Sequence, residues 1–125
     1  MILEKTNFEW EIVLSDLNSA MKNNEETVLP IRIGYKIVKN RLAIKEALKA
    51  YFVTKDAIIN KYSNGRGYVS EKEDAESFEK IYKESNVISK EKTSVNIDMI
   101  SIEDFKEINL SLNIISALEF MLIIS

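Results

Sequence analysis

Apolar residues along this chain recur mostly at intervals of three and four, a pattern that predicts helices separated by short polar breaks. Trp10, Val13, Leu14, Leu17, Ala20 and Met21 define one face of a first helix. Thr6 followed by Glu9 forms a T-x-x-E capping box, in which each side chain satisfies an otherwise orphaned backbone N–H. Met1 to Lys5 ahead of it read as a short strand. Asn23-Asn24-Glu25-Glu26 closes the helix in a polar loop, and Pro30 suits the first turn of the next helix.

A second helix is predicted without interruption from Ile31 to Tyr62. Ile37, Ile44, Tyr51 and Ile58 stand seven residues apart, Leu48 and Tyr62 fill the same stripe, and Tyr35, Leu42 and Val53 mark a second stripe. At 1.5 Å per residue such a helix is roughly 45 Å long. A domain of this size does not cover that length alone, so its ends are expected to project or to meet another subunit. Arg41 and Lys55 sit near the main stripe, where their stems can pack while their charges reach water.

Ser63-Asn64-Gly65-Arg66-Gly67 breaks the pattern. Ser70 and Glu73 form another capping box, expected to open a third helix with Ala75, Phe78, Ile81 and Tyr82 inward. Glu71, Asp74, Glu76, Glu79 and Glu84 are expected on its outer side. Asn86 to Lys92 reads as a loop. Val95, Ile97 and Met99 alternate with Asn96 and Asp98, the period of a half-exposed strand, and its partner is expected to be the N-terminal strand. Ser101 to Asp104 would cap a short turn bearing Phe105. Ser111 would open a terminal helix with the face Ile114, Ile115, Leu118, Met121 and Leu122. The expected fold is α+β and predominantly helical, one domain over residues 1–125. It has four helices, a long basic second helix as spine, and a minimal two-stranded sheet.

Charge adds a polarity to this picture. The second helix holds Arg32, Lys36, Lys39, Arg41, Lys45, Lys49, Lys55 and Lys61 against only Glu46 and Asp56, in a chain whose formal net charge is −3. Such segregation favours either pairing between elements or docking on a charged partner. The acidic balance argues against a general nucleic-acid binder, whose affinity rests on neutralising phosphates. The chain has no cysteine and no histidine. Disulfides, thiolate chemistry, serine–histidine triads and the usual zinc sites are thereby excluded. The most apolar stretch, Leu112 to Ser125, is interrupted by Asn113, Ser116 and Glu119 and is shorter than the roughly 20 residues of a spanning helix. No membrane association and a cytoplasmic location are expected.

Three constellations could carry function, each beside a plainer reading. Lys36, Lys39, Lys45 and Lys49 could form a basic surface for phosphate or an acidic partner, or could solvate the helix and pair with the acidic third helix. Glu73 and Glu76 could imitate phosphate spacing, or belong to a solvated helix face. Arg66 and Tyr68 lie on the glycine-containing loop and are residue types favoured at interfaces, although a plain turn would hold them equally well. No Walker-type lysine follows Gly65 and Gly67, so the loop is not a phosphate-binding P-loop. Asp98, Glu103 and Asp104 could hold Mg²⁺, but no nucleophile or base stands beside them at a recognisable spacing. No catalytic, cofactor or metal residue is assigned, and an enzyme is not expected.

The order of these elements also carries a resemblance. Val28-Leu29-Pro30-Ile31-Arg32-Ile33-Gly34-Tyr35-Lys36-Ile37-Val38-Lys39-Asn40 leads a long helix that ends in Ile58-Ile59-Asn60-Lys61-Tyr62. A glycine-containing loop, an acidic helix, Val95-Asn96-Ile97-Asp98 and Ala117-Leu118-Glu119-Phe120-Met121 follow. Together they resemble a family of short proteins encoded by tailed phages and prophages of low-GC Gram-positive bacteria. The apolar end Leu122-Ile123-Ile124 departs from the family's simplest pattern and leaves the terminal helix as either core or dimer surface. The resemblance carries no catalytic residue across. It implies a virion assembly factor, a regulator or an antagonist of a host defence; with the small size, absent catalytic groups and segregated charge, the leading expectation is a non-enzymatic protein that binds a host or phage protein. The most concrete role is inhibition of a host nuclease-based defence of the anti-CRISPR or anti-restriction type, with Glu73, Glu76, Arg66 and Tyr68 covering a basic nucleic-acid channel. A virion assembly or scaffolding protein, self-associating as a homodimer through the second and terminal helices, is the alternative. A nucleic-acid-binding regulator is the third.

Overall fold

The computed structural model describes residues 1–23, 29–106 and 108–123. Asn24 to Glu26 of the expected polar loop, and Ile124 of the apolar end, lie outside the described residues. Strand β1 (Ile2–Thr6) leads directly into helix α1 (Asn7–Asn23). The capping box forms as expected: the Thr6 N–H donates to Glu9 Oε1 at 2.9 Å and the Glu9 N–H to Thr6 Oγ1 at 3.1 Å. Those bonds hold the Glu9 carboxyl below its usual range. Trp10, Leu14, Leu17 and Ala20 are buried, so the first helical face is the one the spacing picked out.

The long second helix is not continuous. It divides at Leu48, whose φ of −92° and ψ of 0° separate α2 (Ile31–Ala47) from α3 (Lys49–Ser63). Pro30 stands just before α2 as its cap, not within its first turn. No proline or glycine marks the division, which is why the periodicity could not reveal it. The Leu48 N–H still donates to Ile44 O and the Phe52 N–H to Leu48 O, both at 3.0 Å. Leu48 itself is fully buried. The lapse separates two halves with different neighbours: α2 lies on α1 and the antiparallel sheet, while α3 lies on α4 (Ala75–Ser89). The described residues therefore hold five α-helices where four were expected.

Helix α4 also begins later than its sequence suggests. The N–H groups of Glu73 and Asp74 bond the Ser70 carbonyl, at 3.2 and 2.9 Å, so residues 70–74 turn before the helix starts. The cap is Asp74, whose Oδ1 accepts from the Ser77 N–H at 3.0 Å. A carboxylate suits this end of the helix dipole, and the Ser77 N–H is the main reason its pKa is lowered. At its other end α4 runs to Ser89, through most of the segment expected as a loop.

Strand β2 (Lys92–Asn96) pairs antiparallel with β1, Leu3 opposite Val95 and Lys5 opposite Thr93. The expected alternation to Met99 stops early for a visible reason. Asn40, buried on α2, exchanges two hydrogen bonds of 2.8 Å with the backbone of Asp98: Nδ2 donates to its carbonyl and Oδ1 accepts from its N–H. That side chain takes the place a neighbouring strand would fill. A second, two-residue parallel pair joins β3 (Ile100–Ser101) to β4 (Leu122–Ile123). Between them lie a 3₁₀ turn over Ile102–Phe105 and helix α5 (Leu112–Leu118). Ser101 and Ser111 cap these as expected, accepting from the N–H groups of Glu103 and Ile114 at 3.3 Å.

The core lies between α1, the inner face of α2, the β1–β2 sheet and α5. Trp10 sits at its centre, donating from Nε1 to the Thr93 carbonyl at 2.8 Å and meeting Phe120 edge-on at 6.2 Å. Ile37, Ile44, Val95, Ile97, Ile114, Leu118 and Met121 fill the rest. The terminal element is thus core, but it leaves α-helical geometry after Leu118, and Ile115 stays exposed.

Candidate interaction surface

The outer face of α2 is built from the residues that its inner stripe leaves over. Ile31, Tyr35, Val38 and Leu42 follow one another at spacings of four, three and four, and are 92%, 66%, 49% and 57% exposed. That spacing keeps them in one row along a helix. The row continues at the same rhythm to Lys45 and, across the lapse at Leu48, to Lys49 at the start of α3; both are exposed and neither is in an ion pair among the described residues. Tyr35, Leu42 and Val53 were expected as a second stripe, and they are exposed. Lone exposed apolar residues need no explanation, whereas a contiguous apolar patch does.

The basic residues of α2 divide into two groups. Lys36 and Lys39 lie 3.9 and 3.7 Å from the Asp98 carboxylate, and Arg32 lies 3.0 Å from Asp104. Arg41 donates to Asn18 Oδ1 at 2.7 Å. These cations fasten the segment after β2, and Arg41 the side of α1, to the spine. Two of the three carboxylates considered for Mg²⁺, Asp98 and Asp104, are so engaged, and no cluster of three metal-ligating acids occurs among the described residues. Of the proposed basic surface, Lys45 and Lys49 have no ion pair among the described residues.

The α3–α4 turn does bring three of its four candidates together. Asn64, Gly65 and Gly67 all have positive φ, so the chain reverses through left-handed backbone that glycine adopts without strain. Buried Ser63 anchors the loop: its carbonyl accepts from the Arg66 N–H at 3.1 Å and its Oγ from the Gly67 N–H at 3.3 Å. Arg66 then lies 5.6 Å over the Tyr68 ring and 3.7 Å from Glu73. Glu76 is apart from them, 3.2 Å from Lys80. Glu79 meets Lys83, and Glu84 meets Lys61 of α3. The Tyr62 hydroxyl, with Lys61 behind it, holds the Glu84 carboxyl below its usual range. The basic and acidic helices are joined by that α3–α4 pair, while α2 finds its counter-charges elsewhere. The apolar face of α4 is less covered than expected, since Phe78 and Tyr82 are exposed and no α4 residue is fully buried.

Comparison finds no match to this chain among protein-family models, curated proteins or solved structures. Its surfaces therefore carry the functional argument by themselves.

One polar site went unnoticed in the sequence. A groove of about 390 Å³ runs between α1, α3 and α4, bordered by Phe8 and Tyr82. On its wall Glu11 accepts from Lys55 Nζ and from the Tyr51 hydroxyl, both at 2.9 Å. Burial first, and the Glu11 carboxylate second, push the Tyr51 phenol up to about 12. At neutral pH the phenol keeps its proton and all three groups are mutually satisfied. The trio ties α1 to α3, and offers neither a free base nor an activated nucleophile. Tyr51 and Lys55 read as stripe and stem in the sequence, and Glu11 gave no signal because its partners lie 40 and 44 residues away. Among the described residues, no helix is long and apolar enough to cross a membrane.

Proposed function

We propose that this is a non-enzymatic, phage-encoded protein that acts by binding another protein, and that the outer row of α2 is its binding surface. The observation that carries this reading is the row Ile31, Tyr35, Val38 and Leu42, aligned and uncovered on a helix whose opposite face is core. Helix-in-groove and helix-on-helix recognition use anchors at this spacing. Direct nucleic-acid binding has less support, because Arg32, Lys36 and Lys39 are already beside carboxylates and the centre of the face is apolar. The α4 carboxylates likewise have cations at hand, which weakens imitation of phosphates by Glu73 and Glu76.

The concrete role favoured by the resemblance is inhibition of a host nuclease-based defence, by occlusion. In that reading α2 supplies the apolar anchor, and Arg66 and Tyr68 border the covered surface. The test is affinity capture from a defence-carrying host, with the tagged wild-type chain beside a Val38→Glu, Leu42→Glu variant. A nuclease or guide-loaded effector held stoichiometrically by the wild type and lost by the variant, and inhibited only by the wild type, is the expected result. Capture of a phage structural protein with the same dependence on the row would reassign the role to virion assembly. A partner set identical for both proteins would remove α2 from the interface.

A further inference from the structure

The row on α2 is longer than its apolar part, and its composition describes what can lie on it. From Ile31 the spacing four, three, four, three, four passes through Tyr35, Val38, Leu42, Lys45 and Lys49, the rhythm of a helix–helix seam. Four seam positions are apolar and two are exposed lysines without ion pairs among the described residues. Gly34 stands beside Tyr35 in the interior of α2, and a Cβ built on it would meet nothing within 4 Å. Glycine at an interior helical position is less favourable than alanine. Nothing among the described residues explains the glycine, whereas a partner backbone approaching the row closely would.

We propose that the occupant of this face is an acidic amphipathic helix of another protein. Its apolar row lies against Ile31 to Leu42, its carboxylates meet Lys45 and Lys49, and its backbone approaches at Gly34. The inference deepens the protein-binding reading and rests on it. Charge decides the partner's chemistry. A parallel second copy would set Lys45 and Lys49 against themselves, and an antiparallel one would set them against Tyr35 and Ile31, where no carboxylate meets them. A lipid surface fits less well: the row is a single file of four side chains, Glu46 lies near its lysines, and the chain is net acidic.

The experiment titrates the full chain into two fluorescent, cross-linked helical peptides of about 20 residues, the length that spans the seam. Both carry leucine at seam spacing; one has glutamates along its flanks, the other lysines. The acidic peptide is expected to bind at least about tenfold more tightly, and Lys45→Glu with Lys49→Glu to reverse that preference. Val38→Glu with Leu42→Glu should abolish binding of both. Gly34→Leu should weaken the acidic peptide about tenfold while the thermal midpoint holds or rises, because the site is open within the fold. Equal binding of the two peptides, or a preference that survives the lysine reversal, overturns the proposal. So does a wild-type dimer in sedimentation equilibrium that the Val38→Glu, Leu42→Glu variant dissociates, or tight binding to phosphatidylglycerol vesicles. If the peptides fail while row-dependent capture succeeds, the partner's chemistry is wrong and the binding reading stands. If both fail, the reading itself falls.

Discussion

Helices α2 and α4 are both amphipathic and both rich in long charged side chains, yet they are built into the molecule in opposite ways. Helix α2 buries Ile33, Ile37, Asn40 and Ile44 on one side and shows an apolar row on the other. Helix α4 has no fully buried residue, and its capping carboxylate and ion pairs are bonds to its own residues or to the neighbouring α3 region. A helix fixed by a core can hold a second apolar face rigidly for a partner, because its position does not depend on that partner. A helix held by exposed ion pairs gains little from each and is the first candidate for local opening. That contrast adds a mechanical reason to the chemical one behind the proposal that α2 carries the binding surface.

The largest effect that could break this comparison is a core deletion on each helix. Ile44→Ala on α2 removes a fully buried side chain and should lower unfolding free energy by about 3 kcal/mol. Phe78→Ala on α4, already more than a third exposed, should cost under about 1 kcal/mol. Urea unfolding of both variants decides it, and comparable losses would mean that α4 is integral to the core. Next in size is Asn40→Ala, which orphans the half-buried N–H and carbonyl of Asp98 and should cost about 2 kcal/mol. If α2 positions the segment between β2 and β3 as described, amide exchange at Asp98 should accelerate in this variant more than exchange within α4.

How much of this was legible depends on whether a signal was local. The inner face of α1, the Thr6–Glu9 box and the pairing of β1 with β2 could be read because periodicity and caps act within a few residues. The division at Leu48 could not, since it follows from what α2 and α3 each pack against and leaves no proline or glycine. The cap of α4 was misplaced by four residues because Ser70 and Asp74 both satisfy a capping pattern, and only the turn after Gly67 decides between them. On the surface, Tyr35, Leu42 and Val53 were visible as a second stripe, but its exposure was not. Asn40 and Glu11 were invisible because each is defined by a partner distant in sequence.

The junction between the two halves can be tested by alkaline titration. The Tyr51 phenol has a folded-state pKa of about 12 against 10.0 for the free group. The folded chain therefore holds a proton that the unfolded chain releases over that interval. Stability is fully present below about pH 10 and falls as pH rises toward 12. Wild-type protein should lose stability more steeply across this range than Tyr51→Phe in parallel urea titrations. Equal slopes would mean that the hydroxyl is not held by Glu11, and that α3 is joined to α1 by packing alone.

The smallest effect concerns the start of α4. Asp74→Ala removes the acceptor of the Ser77 N–H and should slightly lower stability at neutral pH. Because the Asp74 pKa is lowered in the folded chain, its contribution is present above the ordinary carboxylate range and lost as pH falls through the folded value. The gap between wild type and variant should therefore close on acidification. The same substitution separates the two helices functionally. If binding resides on α2, Asp74→Ala should leave partner affinity unchanged while amide exchange along α4 rises. A loss of affinity parallel to the fraying would bring the α3–α4 turn, with Arg66, Tyr68 and Glu73, back into the interface.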